Sequence, residues 1–254
     1  MRMPGTMSLL FLLFVLVLMP YAAIRSAGVI RAARAGTSEQ PLPSRESIWV
    51  RTIFVLGFLF ALAWYTGRGF DFHIFALPPL GVRDIAAAVG ALAAYFGLRE
   101  VSRAIRSEAE RRTMLVYFIA PRSPREWLLW TGTVLVASVA EEAAYRGVGM
   151  SILWYALGNP YAAVAICSAA FALAHWTQGW KSAAVIFVMA LVMHALVAFT
   201  GTLILAMLVH GIYDLVAGYF IAKEAKRLQL EGREASLEAS HTSPSPDERA
   251  RGQG

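Results

Sequence analysis

Cysteine is almost absent: Cys167 stands alone, so no internal disulfide can support the fold. It lies in an apolar run and reads as packing rather than as a nucleophile. Charge is also scarce. Only 16% of the 254 residues are charged and 57% are hydrophobic, whereas about 25% charged is usual for a soluble domain. The apolar residues come in long blocks, which excludes an ordinary soluble domain and predicts an all-α, polytopic transmembrane bundle of about seven spans. The net charge of +6 carries no basic-aromatic stripe, which argues against a nucleic-acid surface. It is mostly arginine and falls in the connections, as in loops that obey the positive-inside rule. No internal repeat is evident.

Seven apolar runs can be placed. Met7 to Ile24 is 18 residues without charge, just long enough to span. A cleaved signal peptide is the competing reading, but the run is long for one and lacks a clean small-x-small site. The second span runs from about Ile48 to Thr66, after Pro41-Leu42-Pro43-Ser44 breaks any helix. Ile85 to Leu98, rich in Ala and Gly, is expected to be an interior packing helix. Arg99 to Arg125 is a charged connection, part of which can lie on the membrane as an amphipathic helix. The fourth span starts at Trp127 and continues to about Leu157, where Gly158-Asn159-Pro160 makes a turn. Tyr161 to Trp176, Ser182 to Phe199 and Thr202 to Ala222 follow. The bundle is thus expected over residues 1–222, with its functional core at about 127–220. Residues 223–254 are expected to be a disordered tail. Counting Lys and Arg puts the amino terminus outside and the tail in the cytoplasm.

The fourth span holds Glu141, Glu142 and Arg146, three charges within six residues of an apolar segment. One charge at mid-bilayer costs on the order of 3 kcal/mol, so these groups need partners or a purpose. Glu142 and Arg146 are i, i+4 and can pair on one helix face. Glu141 points about 100° away, with no basic residue three or four positions from it. A carboxyl left uncompensated in a dry site suits general acid/base work. The alternative is a structural ion pair at a helix end, with Glu141 facing water.

Other polar groups fall at matching depth. Glu141 and His175 each lie 17 residues from Gly158, so a hairpin there brings both to one level. His210 is nine residues past the corner at Gly201, roughly 13 Å deeper at about 1.5 Å per residue. Asp214 follows it at i+4. His194 has no charged residue within four positions and reads as a pore-lining or packing histidine. Three helices distant in sequence can thus aim a carboxylate and two imidazoles at one point.

Glu141-Glu142-x-x-x-Arg146, Phe171-x-x-x-His175 and His210-x-x-x-Asp214, in this order, resemble the three-motif pattern of the CAAX-prenyl-protease and bacteriocin-processing (CPBP, Abi) family, the intramembrane glutamic endopeptidases. The resemblance covers roughly Trp127 to Phe220. It implies metal-free hydrolysis of peptide bonds in membrane-associated substrates, with Glu141 and His175 activating a water. His210 and position 214 would stabilise the oxyanion, and Glu142 and Arg146 would orient the site. It also implies a multi-pass protein of a bacterial cell membrane, with a peptide or membrane-protein substrate and the lipid bilayer as partners. The family pattern commonly ends in Asn, and Asp214 departs from it. An ionised Asp cannot donate to an oxyanion, so here it would rather orient His210.

Three alternatives compete. His175, His210 and Glu141 can supply a His₂Glu zinc set with water at the fourth position, although no His-Glu-x-x-His is present. Serine or aspartyl intramembrane proteolysis is disfavoured, because Ser168 lacks flanking glycines and Asp214 is the single Asp well inside a span. A proton-coupled transporter or a non-proteolytic immunity protein also uses buried Glu and His. A transporter should show broken helices around its site, whereas a protease needs an opening wide enough for a peptide.

Overall fold

The computed structural model describes residues 5–34, 43–69 and 71–242. Among the described residues the structure is helical, without strands. The first rod comprises α1 (Thr6–Leu13), a π-helical turn (Phe14–Leu18) and α2 (Met19–Arg34). It is followed by α3 (Arg45–Arg68) and α4 (Val82–Ala104), then by two short helices, α5 (Glu108–Arg112) and α6 (Leu115–Phe118). A second rod joins α7 (Pro124–Glu141), a π-helical segment (Glu142–Gly149) and α8 (Met150–Leu157). Then come α9 (Pro160–Ala174), a 3₁₀ turn (Trp176–Gln178), α10 (Trp180–Thr200) and α11 (Leu203–Thr242).

Five stretches are long and apolar enough to cross a membrane: Thr6–Ala32, Arg45–Arg68, Val82–Ala104, Trp180–Thr200 and Leu203–Leu228. The other two expected spans fall on the second rod, which carries the buried charges, and on α9, a shorter apolar helix of 15 residues. This makes the chain an integral membrane protein, with α9 held against the second rod and α10.

The local stops are built as the sequence requires. Gly158 closes α8 in the left-handed region (φ 64°), a conformation that costs glycine nothing, and its N–H donates to the Trp154 carbonyl at 2.9 Å. Asn159 then caps α9, its Oδ1 accepting from the N–H groups of Tyr161 and Ala162 at 3.0 and 3.1 Å, with Pro160 in the first turn. Gly201 (φ 68°) makes the corner between α10 and α11.

The core forms around the second rod. Ala140, Ala143, Ala144, Tyr145 and Val148 are buried against Phe11 and Val15 of the first rod, Leu59 and Ala63 of α3, Phe171 of α9 and Leu203 of α11. Small residues let the helices approach: a Cβ added at Gly147 would meet Leu203 Cδ1 at 2.9 Å, and one at Gly218 of α11 would meet Trp130 Nε1 of α7 at 2.5 Å.

Three expectations are corrected. α4 is not an interior helix: it packs one edge on α10 and α11 through Ala91 and Tyr95, and little of its apolar window is buried. Its alanines serve close approach on that edge alone, and the rest of its surface faces outward. The surface segment after α4 is two short helices rather than one amphipathic helix, because Thr113 and Met114 separate a charged turn from an apolar one. The helix at the carboxyl end does not stop at Ala222. It continues to Thr242 in the described part of the tail. That part is rich in Leu, Glu, Ala and Arg, which are good helix formers. Residues 243–254 lie outside the described residues.

Candidate active site

The second rod changes its winding where the charges sit. Glu142 to Gly149 form a π-helix and all eight residues are buried. The wider turn with i→i+5 hydrogen bonding is rare and concentrates at functional sites. Gly149 permits it, since a Cβ there would lie 2.6 Å from the Ala144 carbonyl oxygen, five residues back. The expectation of one unbroken α-helix from Trp127 to Leu157 is corrected on this point. The spacing Glu142 to Arg146 nevertheless keeps the two side chains on one side of the rod, with Arg146 Nη1 3.2 Å from Glu142 Oε1.

The two glutamates have different surroundings. Glu142 is fully buried and is engaged twice, by Arg146 and by His210, whose Nδ1–H donates to Oε1 at 2.8 Å. Glu141 reaches the edge of the site, with Oε2 3.8 Å from His210 Nε2. Asp214 Oδ2 lies 3.4 Å from that same nitrogen. His210 is therefore ringed by three carboxylates, one on Nδ1 and two beside Nε2. Glu142 holds Nδ1 from a different helix, and Asp214, the residue expected to orient the imidazole, lies beside Nε2 instead. Sequence spacing made His210 and Asp214 neighbours at i, i+4, but it could not show a partner 68 residues away.

His175 ends α9. Its Nδ1–H donates to the Phe171 carbonyl at 2.8 Å, which leaves Nε2 free. The ring lies against Phe171, with centroids 4.6 Å apart. Phe171 also receives the Arg146 guanidinium over its face at 4.1 Å and meets Tyr145 edge-on. Arg146 is 3% exposed, and its three nitrogens find no hydrogen-bond acceptor among the described residues. The Glu142 charge and the Phe171 ring therefore hold it. The aromatic hub at Phe171 was legible as the first residue of its motif, but not as the shelf under both Arg146 and His175.

Glu141, His175 and Asp214 line one cavity of about 1130 Å³. Its outer wall comes from Tyr21 and Arg25 of α2, Trp49 and Thr52 of α3, and Phe118 and Ile119 at and beyond α6. Nothing in these segments marks a site in sequence, and the apolar amino-terminal helices still wall the cavity. A smaller cavity of about 190 Å³ brings His175, His210 and Asp214 together with Tyr95 and Tyr213. Glu141 and His175 thus share the larger cavity, His175 and His210 the smaller one, and Glu141 stands 3.8 Å from His210. His194 is buried and does not line either cavity, in keeping with packing. Cys167 is buried and free. Among the described residues, no group of three His, Cys, Asp or Glu side chains is arranged to hold a metal ion.

Residues 123–216 match the family model described as type II CAAX prenyl endopeptidase Rce1-like. No curated protein and no solved structure matches the chain. The matched segment runs from the cap of α7 into α11 and takes in all three polar motifs. Residues 123–216 thus form an Rce1-like segment, of the CAAX-protease family that the three motifs resemble, set among helices long enough to cross a membrane.

Proposed function

We propose that this chain is an intramembrane endopeptidase that hydrolyses peptide bonds of membrane-associated substrates with a water activated by Glu141. The observation that carries the reading is the division of labour between the two adjacent glutamates. Glu142 is occupied by Arg146 and His210, while Glu141 faces a cavity that it shares with His175.

The chemistry follows from the atoms. A water between Glu141 and His175 gives a proton to the Glu141 carboxylate, and the hydroxide attacks the scissile carbonyl carbon. His175 accepts a hydrogen bond from that water at Nε2, because its Nδ1–H is fixed on the Phe171 carbonyl. The carbonyl oxygen becomes an oxyanion and is met by His210 Nε2–H. A donor so placed is typically worth about 3 kcal/mol of transition-state stabilisation. Glu142 keeps His210 oriented, with Nδ1–H engaged. Collapse of the tetrahedral intermediate breaks the C–N bond, and Glu141 passes its proton to the leaving amine. Asp214 accepts hydrogen bonds and does not donate them. It stands beside Nε2 at 3.4 Å.

The volume of the larger cavity, about 1130 Å³, supports a peptide rather than a small ion as the occupant. The rod that carries Glu141 stays helical through the site, unlike the interrupted helices of transporters. The decisive test is cleavage of membrane-anchored peptides, prenylated and unprenylated, by purified protein and by Glu141→Gln. Released-peptide proteomics from cells carrying each form would identify the substrate. Normal cleavage by Glu141→Gln refutes the mechanism, and loss of activity with a chelator, restored by zinc, replaces it with the metal-dependent one.

A further inference from the structure

A third cavity, of about 120 Å³, lies between the end of α4, the 3₁₀ turn and α11. Arg99, Arg103, Arg106 and Arg111 all line it. Arg106 is its buried member, 8% exposed. The Arg106 guanidinium is held by neutral groups: Nη2 donates to Ser182 Oγ at 2.8 Å, and Nη1 to Ser102 Oγ at 2.6 Å and to the Ser102 carbonyl. Among the described residues no carboxylate lies within ion-pair distance of it.

The carboxylates nearby are already shared. Glu100 serves both Arg99 and Arg103. Glu110 is taken by Lys181 at 2.7 Å. Glu224 binds Arg227 at 2.7 Å and stands 3.7 Å from Arg111, whose buried Nε has no hydrogen-bond acceptor among the described residues. The four cavity arginines thus have Glu100 and Glu224 within ion-pair distance of three of them, and among the described residues Arg106 has no such partner. Burying a cation without a counter-charge is costly, so the site is built for an anion from outside the chain. Its arginines belong to none of the catalytic steps above, although the cavity adjoins the smaller one that holds His210 and shares seven lining residues with it, Gln178 and Tyr213 among them.

The surroundings indicate which anion. Arg99 and Arg103 stand near the end of a span whose outer face is open, with Val101 and Ile105 about half exposed. Tyr219 and Phe220 of α11 present further apolar surface, and Arg99 sits 4.6 Å over the Phe220 ring. A cationic cavity at the end of a span, flanked by exposed apolar side chains, matches a phosphate headgroup joined to acyl chains. Basic pockets between transmembrane helices have this use. We propose that the Arg99–Arg103–Arg106–Arg111 cavity binds the phosphate of an anionic phospholipid.

The test uses the full chain, delipidated in detergent and returned to nanodiscs of phosphatidylcholine with or without phosphatidylglycerol. Bound lipid is counted by native mass spectrometry. Wild-type protein should retain phosphatidylglycerol over phosphatidylcholine, and Glu141→Gln should do the same, so the result does not depend on catalysis. Arg106→Gln should weaken retention by at least about fivefold, the size expected for one cation near a headgroup. Arg106→Lys should recover part of it. Because Arg106 is buried, Arg103→Glu serves as a second variant: its side chain is largely exposed, it tolerates change, and it should lose retention as strongly. Inorganic phosphate alone, titrated against the loaded protein, distinguishes the sources. Displacement of the lipid by millimolar phosphate would assign the site to a free anion and overturn the proposal. Equal retention of both lipids would overturn it as well. So would variants that bind phosphatidylglycerol normally but lose preference for a peptide with a free carboxyl end over its amide, since they would assign the cavity to the substrate.

Discussion

Glu142→Ala is the most informative perturbation of the site, because it separates structural charge from catalytic charge. Glu142 Oε1 lies 3.2 Å from Arg146 Nη1 and 2.8 Å from His210 Nδ1. At an effective dielectric of about 20, a unit-charge pair 3.2 Å apart attracts by about 5 kcal/mol. Arg146 has no other carboxylate within ion-pair distance among the described residues and no hydrogen-bond acceptor for its nitrogens. Removing Glu142 therefore leaves a buried cation supported only by the face of Phe171. Breaking a buried pair in this way typically costs about 3–5 kcal/mol. At about 2–4 °C per kcal/mol for a chain of this size, Tm should fall by roughly 6–20 °C. Glu142→Gln, which keeps the shape and an acceptor for His210, should fall less. Glu142→Leu combined with Arg146→Met, which removes both charges and keeps the volume, should recover most of the loss. Thermal unfolding of detergent-purified protein, run as a double-mutant cycle, measures all of this. If Glu142→Ala unfolds within about 1 kcal/mol of wild type, the cation does not depend on this carboxylate and the ion-pair reasoning fails.

Glu141→Gln should behave in the opposite way: it leaves Tm nearly unchanged and lowers kcat/KM by about 10²–10⁴, the range of a general base, in a cleavage assay on membrane-anchored peptide. Asp214→Asn removes the charge beside His210 Nε2 and restores the residue usual in the family pattern, so cleavage should persist, whereas a complete loss would make the Asp214 carboxylate itself essential. Gly149→Ala forces a Cβ against the Ala144 carbonyl at 2.6 Å and should destabilise by about 1–3 kcal/mol, with faster hydrogen exchange confined to residues 142–149. At the surface, hydrogen bonds from Lys181 and from the Ser107 backbone hold the Glu110 carboxyl below the usual carboxylate range. Its contact therefore contributes stability above the unfolded pKa and loses it as pH falls through the lower folded one. Thermal unfolding from neutral to acidic pH should show that acid loss, and Glu110→Gln should flatten it.

The polar site was legible in sequence because lipid makes charge conspicuous. Glu141, Glu142, His175 and His210 stand out in apolar runs, and equal spacing from the turn at Gly158 paired two that line one cavity. What stayed hidden depends on long-range pairing or on backbone winding. The donation from His210 to Glu142 joins residues 68 apart, and no local spacing rule favours Glu142 over Asp214 as its partner. The π-helix leaves only a small-residue trace at Gly147 and Gly149, which sequence alone cannot tell from close helix packing.

The same limit explains α4 and the tail. Alanine and glycine report that a helix can approach its neighbours, not that it is surrounded by them, and α4 uses them on one edge only. Loss of apolar residues after Lys223 marks where the membrane-length segment ends, at about Leu228. Helix formation does not end there, because Leu, Glu, Ala and Arg sustain a helix without lipid. Hydropathy thus reads where a chain meets the membrane, and charge within an apolar run reads where chemistry is held. Which charge answers which is decided only when the rods pack. That is why Glu142, rather than the nearer Asp214, holds the Nδ1 of His210.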